Sequence, residues 1–360
     1  MGPHKHFKNS PMFSNVQKKT AEVLLSIKEL KLKTCSISRW ALSLIGMTCF
    51  VVLAFSTTAY ATSYPDRAIT MIVPFPPGGP TDVFARIVAL QLGEELKQPV
   101  IVENRGGAAG NIGVAVAAKA QADGHTILFG TASIAIAPTV YKSLAYDPLK
   151  DLQPIALVGA VPPVILVPAD GPATVQELIK MLKAQPGQFS YATSGHATAT
   201  HLITELFNKR AKVNTIEVPY RGSGPAKQGL LSKLHLYTFE TASSTMGVIQ
   251  SGQLKAIGIA ADKRSSVLPD VPTIAEAGIG GINGSTWNMV FVRAGTPQSI
   301  VNLLNKAVNG ALLNPQTAQK LATLAVDTTT DSTPASSKKF LSDEIRRWAK
   351  IVEVTGVSTN

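Results

Sequence analysis

Short runs rich in β-branched residues alternate with segments of helical periodicity from residue 62 onward. Runs such as Ile69–Val73 and residues 126–129 predict strands. Residues 174–182 follow a helical period, with Thr174 as the predicted N-cap and Glu177 completing a capping box. This alternation predicts an α/β fold with mostly parallel sheets.

The N-terminal region has the order of a secretory signal. A basic region precedes residues 40–55, an uncharged apolar stretch (WALSLIGMTCFVVLAF), and the small-residue pattern Ala59-x-Ala61 follows it. We expect export and cleavage after Ala61. The alternative is an uncleaved anchor, although the stretch is short for a membrane span, which needs about 20 apolar residues.

Charge and cysteine content exclude two classes of function. The net charge is +11, but residues 1–39 hold eight Lys or Arg and two acidic residues, so the remainder is only mildly basic. It contains no dense basic run, which argues against a nucleic-acid partner. Cys35 and Cys49 both lie in or before the apolar stretch. An exported mature chain would therefore have no disulfide, thiol nucleophile or cysteine-ligated metal.

Residues 75–82 (FPPGGPTD) link a predicted strand to a predicted helix that Thr81 or Asp82 is expected to cap. Ligands of open α/β sheets bind beyond the carboxyl ends of strands. Glycines let an anion approach the backbone, and a helix N-terminus offers unpaired N–H groups. The loop has no Lys and so differs from a Walker-type phosphate loop. A small carboxylate fits better than a nucleotide; the alternative is a tight turn without a ligand.

Two further loops of small and hydroxyl residues follow predicted strands: residues 130–133 (GTAS) and 193–198 (TSGHAT). The second lies at another helix start, so two anion-binding loops could face each other across a cleft. Charge-assisted hydrogen bonds contribute ~1.5–3 kcal/mol each. Three or four of them, less ordering costs, would reach roughly micromolar affinity.

No reactive constellation is recognisable. Gly107, Gly110 and Gly113 have the wrong spacing for a dinucleotide fingerprint. His196 and His201 are five residues apart, about 140° around a helix, so they would not share a metal-binding face. The chain lacks a Gly-x-Ser-x-Gly elbow and a pair of carboxylates suited to acid–base work. We therefore predict no catalytic residue, no metal and no cofactor.

A series of ordered motifs gives the chain a family signature. The motifs are Tyr64-Pro65 and residues 73–79 (VPFPPGG), 102–105 (VENR), 110–113 (GNIG), 218–222 (VPYRG), 268–278 (LPDVPTIAEAG) and 294–297 (AGTP). Together they resemble the Bug family, the extracytoplasmic receptors of tripartite tricarboxylate transporters. The resemblance covers essentially the whole predicted mature chain.

The resemblance implies a type II periplasmic-binding-protein fold, with two α/β lobes and a ligand cleft between them. Residues 1–61 would be the N-terminal extension and signal peptide. One lobe would comprise residues 62–165 and 286–360, and the other residues 166–285. The protein would be a periplasmic monomer that delivers a small carboxylate to the membrane permease subunits of a tripartite transporter.

The resemblance also supplies the candidate site. The predicted ligand-binding residues are Pro76, Pro77, Gly78, Gly79, Pro80, Thr81, Asp82, Gly130, Thr131, Ala132, Ser133, Thr193, Ser194, Gly195, His196, Thr198, His201 and Glu240. His196 and Glu240 stand where the family usually has Asn and Asp, so we expect them to influence ligand selectivity. Two alternatives stay open: a secreted hydrolase or isomerase using Glu240 with His196, and a ligand sensor acting on a signalling partner.

Overall fold

The computed structural model describes residues 64–359. The predicted signal segment, its cleavage point after Ala61 and both cysteines lie outside the described residues. Within residues 64–359, no helix is long and apolar enough to cross a membrane.

The first half of the described chain alternates strands and helices as predicted. Its elements are β1 (Ile69–Val73), α1 (Pro80–Leu96), β2 (Val100–Asn104), α2 (Asn111–Ala118), β3 (Thr126–Thr131), α3 (Ser133–Val140), β4 (Leu152–Val161), β5 (Pro163–Pro168) and α4 (Val175–Ala184). The predicted cap of α4 is confirmed, since the Thr174 hydroxyl accepts a hydrogen bond from the Glu177 N–H.

The second half continues the alternation and ends in helices. Its elements are β6 (Ser190–Thr193), α5 (Ala199–Ala211), β7 (Ile216–Pro219), α6 (Ser223–Leu231), β8 (Tyr237–Thr241), α7 (Ala242–Gln250), β9 (Leu254–Ile259), β10 (Thr286–Arg293), α8 (Gln298–Leu313), α9 (Pro315–Thr323), β11 (Asp327–Thr328) and α10 (Pro334–Thr355).

The strands form two sheets. The six-stranded sheet has the order β11-β4-β10-β3-β1-β2, and the five-stranded sheet has the order β7-β6-β8-β5-β9. The α/β class with two lobes is therefore confirmed. The chain passes from the first sheet to the second between β4 and β5, through Pro162, and returns between β9 and β10.

Both sheets are mixed, whereas the sequence predicted mostly parallel sheets. In the first sheet β1 runs parallel to β2 and β3, but β10 is antiparallel to β3 and β4. In the second sheet β6 runs parallel to β7 and β8, but β5 is antiparallel to β8 and β9. Strands β5 and β10 are the first strands after the chain crosses between the sheets, so no βαβ unit makes them parallel to their neighbours. The two-residue strand β11 is also antiparallel, to β4.

Helix α1 begins earlier than predicted. Its N-cap is Gly79 and its first residue is Pro80, with neither Thr81 nor Asp82 acting as the cap. Proline suits this position because its fixed φ is helical and its missing N–H would be unpaired there anyway. Asp82 instead lies in the first turn.

Candidate functional site

Five helices begin at one cavity with a volume of about 230 Å³. The first turns of α1, α3, α5, α6 and α7 all contribute to its wall. Helices α1 and α3 follow strands of the first sheet, and the other three follow strands of the second. The cavity thus lies where the carboxyl ends of strands from both sheets meet, the usual ligand position in open α/β folds.

Most of these helix starts lack a side-chain cap. No side chain caps α1, α3, α6 or α7 at its N-cap residue, whereas Thr198 caps α5 by accepting from the His201 N–H. The first-turn N–H groups have no partner within a helix, and the helix dipole is positive at this end. Among the described residues that line the cavity, Arg221 is the only cation and Glu240 the only carboxylate. The wall is therefore suited to an anion held by backbone N–H and hydroxyl groups.

Asp82 organises the loop before α1. Its Oδ2 accepts hydrogen bonds from the Gly78 N–H at 2.9 Å and from Arg86 Nε at 3.0 Å, and its Oδ1 accepts one from Asn104 Nδ2 at 2.9 Å. Burial alone would raise the pKa of Asp82, but the hydrogen bonds from these three partners outweigh it and lower the pKa. Asp82 is buried outside the cavity lining, where its carboxylate fixes the loop that forms one wall.

Gly130 allows close packing beneath the second loop. A Cβ on Gly130 would lie 2.4 Å from Ile134 Cδ1 and 2.6 Å from Phe291 Cε2, so a side chain there would clash. Gly130 does not line the cavity, but the next three residues, 131–133, do. The Thr131 hydroxyl accepts from the Ser133 N–H at 3.3 Å and so shapes the start of α3.

The third loop, residues 193–198, lies partly in the cavity wall and partly behind it. Ser194 and Thr198 line the cavity, whereas Thr193 and Gly195 lie outside the lining. The Thr193 and Thr198 hydroxyls both donate to the Gly195 carbonyl, at 3.0 and 2.7 Å. The Ser194 hydroxyl lies 3.1 Å from the Thr200 hydroxyl, also in the wall.

His196 and His201 form a cluster with Glu217, outside the cavity lining. His196 Nδ1 and His201 Nε2 lie 3.0 and 3.4 Å from the same oxygen, Glu217 Oε2. The ring centroids are 4.7 Å apart. The sequence argument placed both histidines on one helix; it was wrong, since His196 precedes α5 and its ring can approach that of His201.

Ligand atoms of these three residues lie within 4.8 Å of one another, a spacing that a metal site could have. His201 Nδ1, however, accepts a hydrogen bond from the Ala197 N–H at 3.1 Å. This fixes the ring proton on Nε2, which then points at Glu217 and has no lone pair for a metal. Burial, with a contribution from His196, lowers the pKa of His201 to about 3. The contacts therefore favour a neutral His201 beside the Glu217 carboxylate rather than a metal site.

The structure gathers most of the predicted residues around one cavity. Those in its lining are Pro76, Pro77, Gly78, Gly79, Pro80, Thr81, Thr131, Ala132, Ser133, Ser194, Thr198 and Glu240. Those outside it are Asp82, Gly130, Thr193, Gly195, His196 and His201. Because Glu240 lines the cavity and His196 does not, the pair considered for catalysis is divided between two environments.

The sequence reasoning missed several lining residues. Residues 221–225 line the cavity at the start of α6, and Thr286, Trp287 and Asn288 line it at the start of β10. Arg221 and Gly222 belong to a motif that carried the family resemblance, so that motif was an available signal. The start of β10 carried no such signal, since Trp287 reads as an ordinary buried strand residue.

The chain has two mixed sheets with helices after their strands, and a small cavity lies where helices that follow each sheet begin. This architecture is that of a solute-binding protein of the periplasmic type. The model of the tripartite tricarboxylate transporter family receptor (TctC) matches residues 84–357. The chain belongs to this family.

Related sequences and solved structures agree with this assignment. Protein BugT of Bordetella pertussis is 39% identical over 319 residues, which cover 88% of this chain and 97% of BugT. The structure of periplasmic binding protein BugD has a TM-score of 0.79 and 33% identity, covering 82% of this chain and 100% of BugD.

Two similar structures contain small carboxylates. Rpa4515 of Rhodopseudomonas palustris with adipate has a TM-score of 0.79 and 32% identity, covering 82% of this chain and 99% of its own. MatC of the same organism with bound malate has a TM-score of 0.76 and 32% identity, covering 80% and 100%. The family and its structural neighbours are solute-binding proteins and not enzymes.

Proposed function

We propose that the protein is a periplasmic receptor that captures a small carboxylate and delivers it to the membrane subunits of a tripartite tricarboxylate transporter. The observation that carries the proposal is the convergence of five helix N-termini on one cavity. Such a wall offers several N–H donors to an anion, with Arg221 as the single cationic side chain among the described lining residues.

The size of the cavity supports a ligand of few carbon atoms. Its volume of about 230 Å³ is below the roughly 300–1,000 Å³ of pockets that hold drug-sized molecules. Adipate and malate, the ligands of two similar proteins, belong to this size class. The proposal includes export by the signal segment at residues 40–55, cleavage after Ala61 and a monomeric mature chain.

Titration calorimetry of the mature chain, residues 62–360, with mono-, di- and tricarboxylates tests the proposal. We expect saturable binding of at least one acid at roughly micromolar Kd, about −8 kcal/mol. The absence of binding by any acid, from a folded sample freed of co-purified ligand, would contradict the function.

A matched pair of glycine variants tests the position of the site. Gly79 lines the cavity with φ −77°, and a Cβ there would meet only the Pro76 carbonyl, at 3.4 Å. Gly79→Val should therefore fold and fill the cavity, reducing affinity at least tenfold, about 1.4 kcal/mol. Gly280→Val is the control, because Gly280 also has open space but lies outside the lining. Equal affinity in the two variants would refute this site.

A further inference from the structure

Asn288 lies in the cavity wall at the start of β10, outside the three loops that the family resemblance supplies. Its two neighbours in the wall already have hydrogen-bond partners. The Thr286 hydroxyl donates to the Val161 carbonyl at 3.1 Å, and the Trp287 indole N–H donates to Glu344 at 2.8 Å. The Asn288 side-chain amide has no partner among residues 64–359, although only 7% of this residue's surface is exposed. A side-chain amide buried to this extent normally has a partner, so a group outside the described chain is expected to supply one.

The strand register directs the Asn288 side chain towards the cavity. Side chains alternate between the two faces of a strand, and Trp287 points towards α10, so Asn288 points to the opposite face. That face carries Val290, which belongs to the same core cluster as Phe84 of α1. Asn288 is also paired in register with Thr131 of β3, and directly opposed residues share a face of the sheet. Because Phe84 and Thr131 both line the cavity, the amide between them faces it as well.

The amide remains open to contact and lies beside a helix start. Neither of its polar atoms is among the fully buried, unpaired atoms of the described residues, so both keep some exposed surface. Thr131, its register partner, shapes the start of α3 by accepting from the Ser133 N–H at 3.3 Å. The first-turn N–H groups of a helix favour an anion. An amide N–H beside that anion is a further donor for it.

We propose that Asn288 binds the ligand directly, by donating a hydrogen bond from Nδ2 to a carboxylate oxygen held at the start of α3. The inference rests on the proposed function and adds to it a side chain that determines specificity. A hydrogen bond from an amide N–H to a carboxylate is charge-assisted, and it is stronger than one to a neutral carbonyl of the same shape. Asn288 therefore favours a carboxylate over a carboxamide at this end of the cavity.

The test exchanges a carboxylate and an amide between protein and ligand. Succinate, glutarate and adipate are each compared with their monoamides, succinamate, glutaramate and adipamate, by titration calorimetry of the mature chain at pH 8. Diacids are used because helix starts that follow both sheets line the cavity. Asn288→Asp replaces the amide by a carboxylate of the same shape, and Asn288→Leu removes donor and acceptor together.

Asn288→Leu should weaken the binding of the diacids at least tenfold, because a hydrogen bond to a charged group is lost. Asn288→Asp should weaken it by roughly a hundredfold, because a like charge is added to the loss of the donor. A monoamide can instead donate its own N–H to the introduced carboxylate. The ratio of monoamide affinity to diacid affinity should therefore be at least tenfold higher in Asn288→Asp than in the wild type.

The controls separate failure of this inference from failure of the function. Asn302→Asp makes the same chemical change at an exposed position on α8 and should leave every affinity unchanged. Thermal melts verify that each variant is folded, and wild-type diacid affinity in folded Asn288→Leu would overturn the inference. Equal weakening of diacids and monoamides by Asn288→Asp would also overturn it, by giving Asn288 a structural role. If the wild type binds other acids but none of these diacids, the inference fails while the function stands; if it binds no acid at all, the proposed function itself fails.

Discussion

At the scale of single residues, the site depends on residues that do not line the cavity. Asp82 ties together Gly78, Arg86 and Asn104, and so joins the loop before α1 to the end of β2. Gly130 is needed because Ile134 and Phe291 occupy the space that a side chain would take. These residues shape the wall from behind, and their substitution is expected to act through the loop rather than through lost ligand contacts.

Asp82→Ala should destabilise the fold substantially. Arg86 is half exposed, but removing the buried carboxylate leaves the Gly78 N–H and the Asn104 amide without their acceptor, which typically costs about 2 kcal/mol. Asp170→Ala is the control, since Asp170 is exposed and its pair with Lys233 lies at the surface. That change should alter the free energy of unfolding by less than about 0.5 kcal/mol. Urea unfolding at pH 7 measures both, and equal losses would contradict the role given to Asp82.

The loss of unfolding free energy in Asp82→Ala should depend on pH in a definite direction. The pKa of Asp82 is lower in the folded protein than in the unfolded chain, so its stabilising contribution is present above the unfolded pKa. It is lost as the pH falls through the folded pKa. The difference in stability between the wild type and Asp82→Ala should therefore shrink towards low pH, and a constant difference would indicate a packing effect instead.

At the scale of elements, sequence periodicity located most strands and helices, but the contacts of their ends depended on the fold. Residues 174–182 were predicted as a helix and correspond to α4 with its cap, because an amphipathic period behind a capping residue is a strong local signal. The start of α1 was misplaced because Thr81 and Asp82 are good caps, whereas Pro80 fixes the first turn. The direction of β5 and β10 could not be deduced locally, since it depends on which sheet the chain has just left.

The same limit applies to the candidate site. The strand–loop–helix units at residues 75–82 and 193–198 were recognisable, because glycine, proline and hydroxyl residues mark a helix start in any context. The sequence did not reveal which residues of each loop face the cavity, and His196 is an example. Its place in the loop favoured a role in selectivity, but its ring lies between Glu217 and the Ser358 carbonyl. Tertiary contacts distant in sequence decided that orientation.

Two threonines that cap helices allow the effect of a cap on stability to be separated from its effect on ligand binding. Thr198 caps α5 and lines the cavity, whereas Thr174 caps α4 away from it. Replacing either by Ala should lower the free energy of unfolding by about 1 kcal/mol. Only Thr198→Ala should also weaken acid binding, by roughly fivefold, because the Thr198 hydroxyl holds the Gly195 carbonyl and so positions the loop in the wall, a hydrogen bond worth about 1 kcal/mol. Chemical denaturation and calorimetry measure the two effects, and weaker binding in Thr174→Ala would contradict this division.

At the scale of the whole molecule, the cavity wall is assembled from both sheets and supported by the C-terminal helix. Helix α10 packs against α3 and β4 and also against α5, which follows a strand of the second sheet. Its Glu344 accepts hydrogen bonds from the indole N–H groups of Trp287, in the cavity wall, and Trp348, at 2.8 and 3.0 Å. We propose that the two lobes follow the two sheets and move relative to each other about the crossings at Pro162 and before Thr286.

Ligand binding should close the cleft between the lobes. In this structure the loop before α1 and the start of α6 approach each other, since a Cβ on Gly222 would lie 3.7 Å from Pro76 Cγ. A ligand that contacts helix starts of both sheets binds the closed form more tightly, so it must shift the population towards closure. Small-angle scattering of the mature chain should show a smaller radius of gyration with a saturating acid than without it. Gly79→Val should need at least tenfold more acid to reach the same radius. An unchanged radius in the wild type, with binding verified by calorimetry, would mean that the cleft is already closed before the ligand arrives, and the delivery step would then need a signal other than lobe closure.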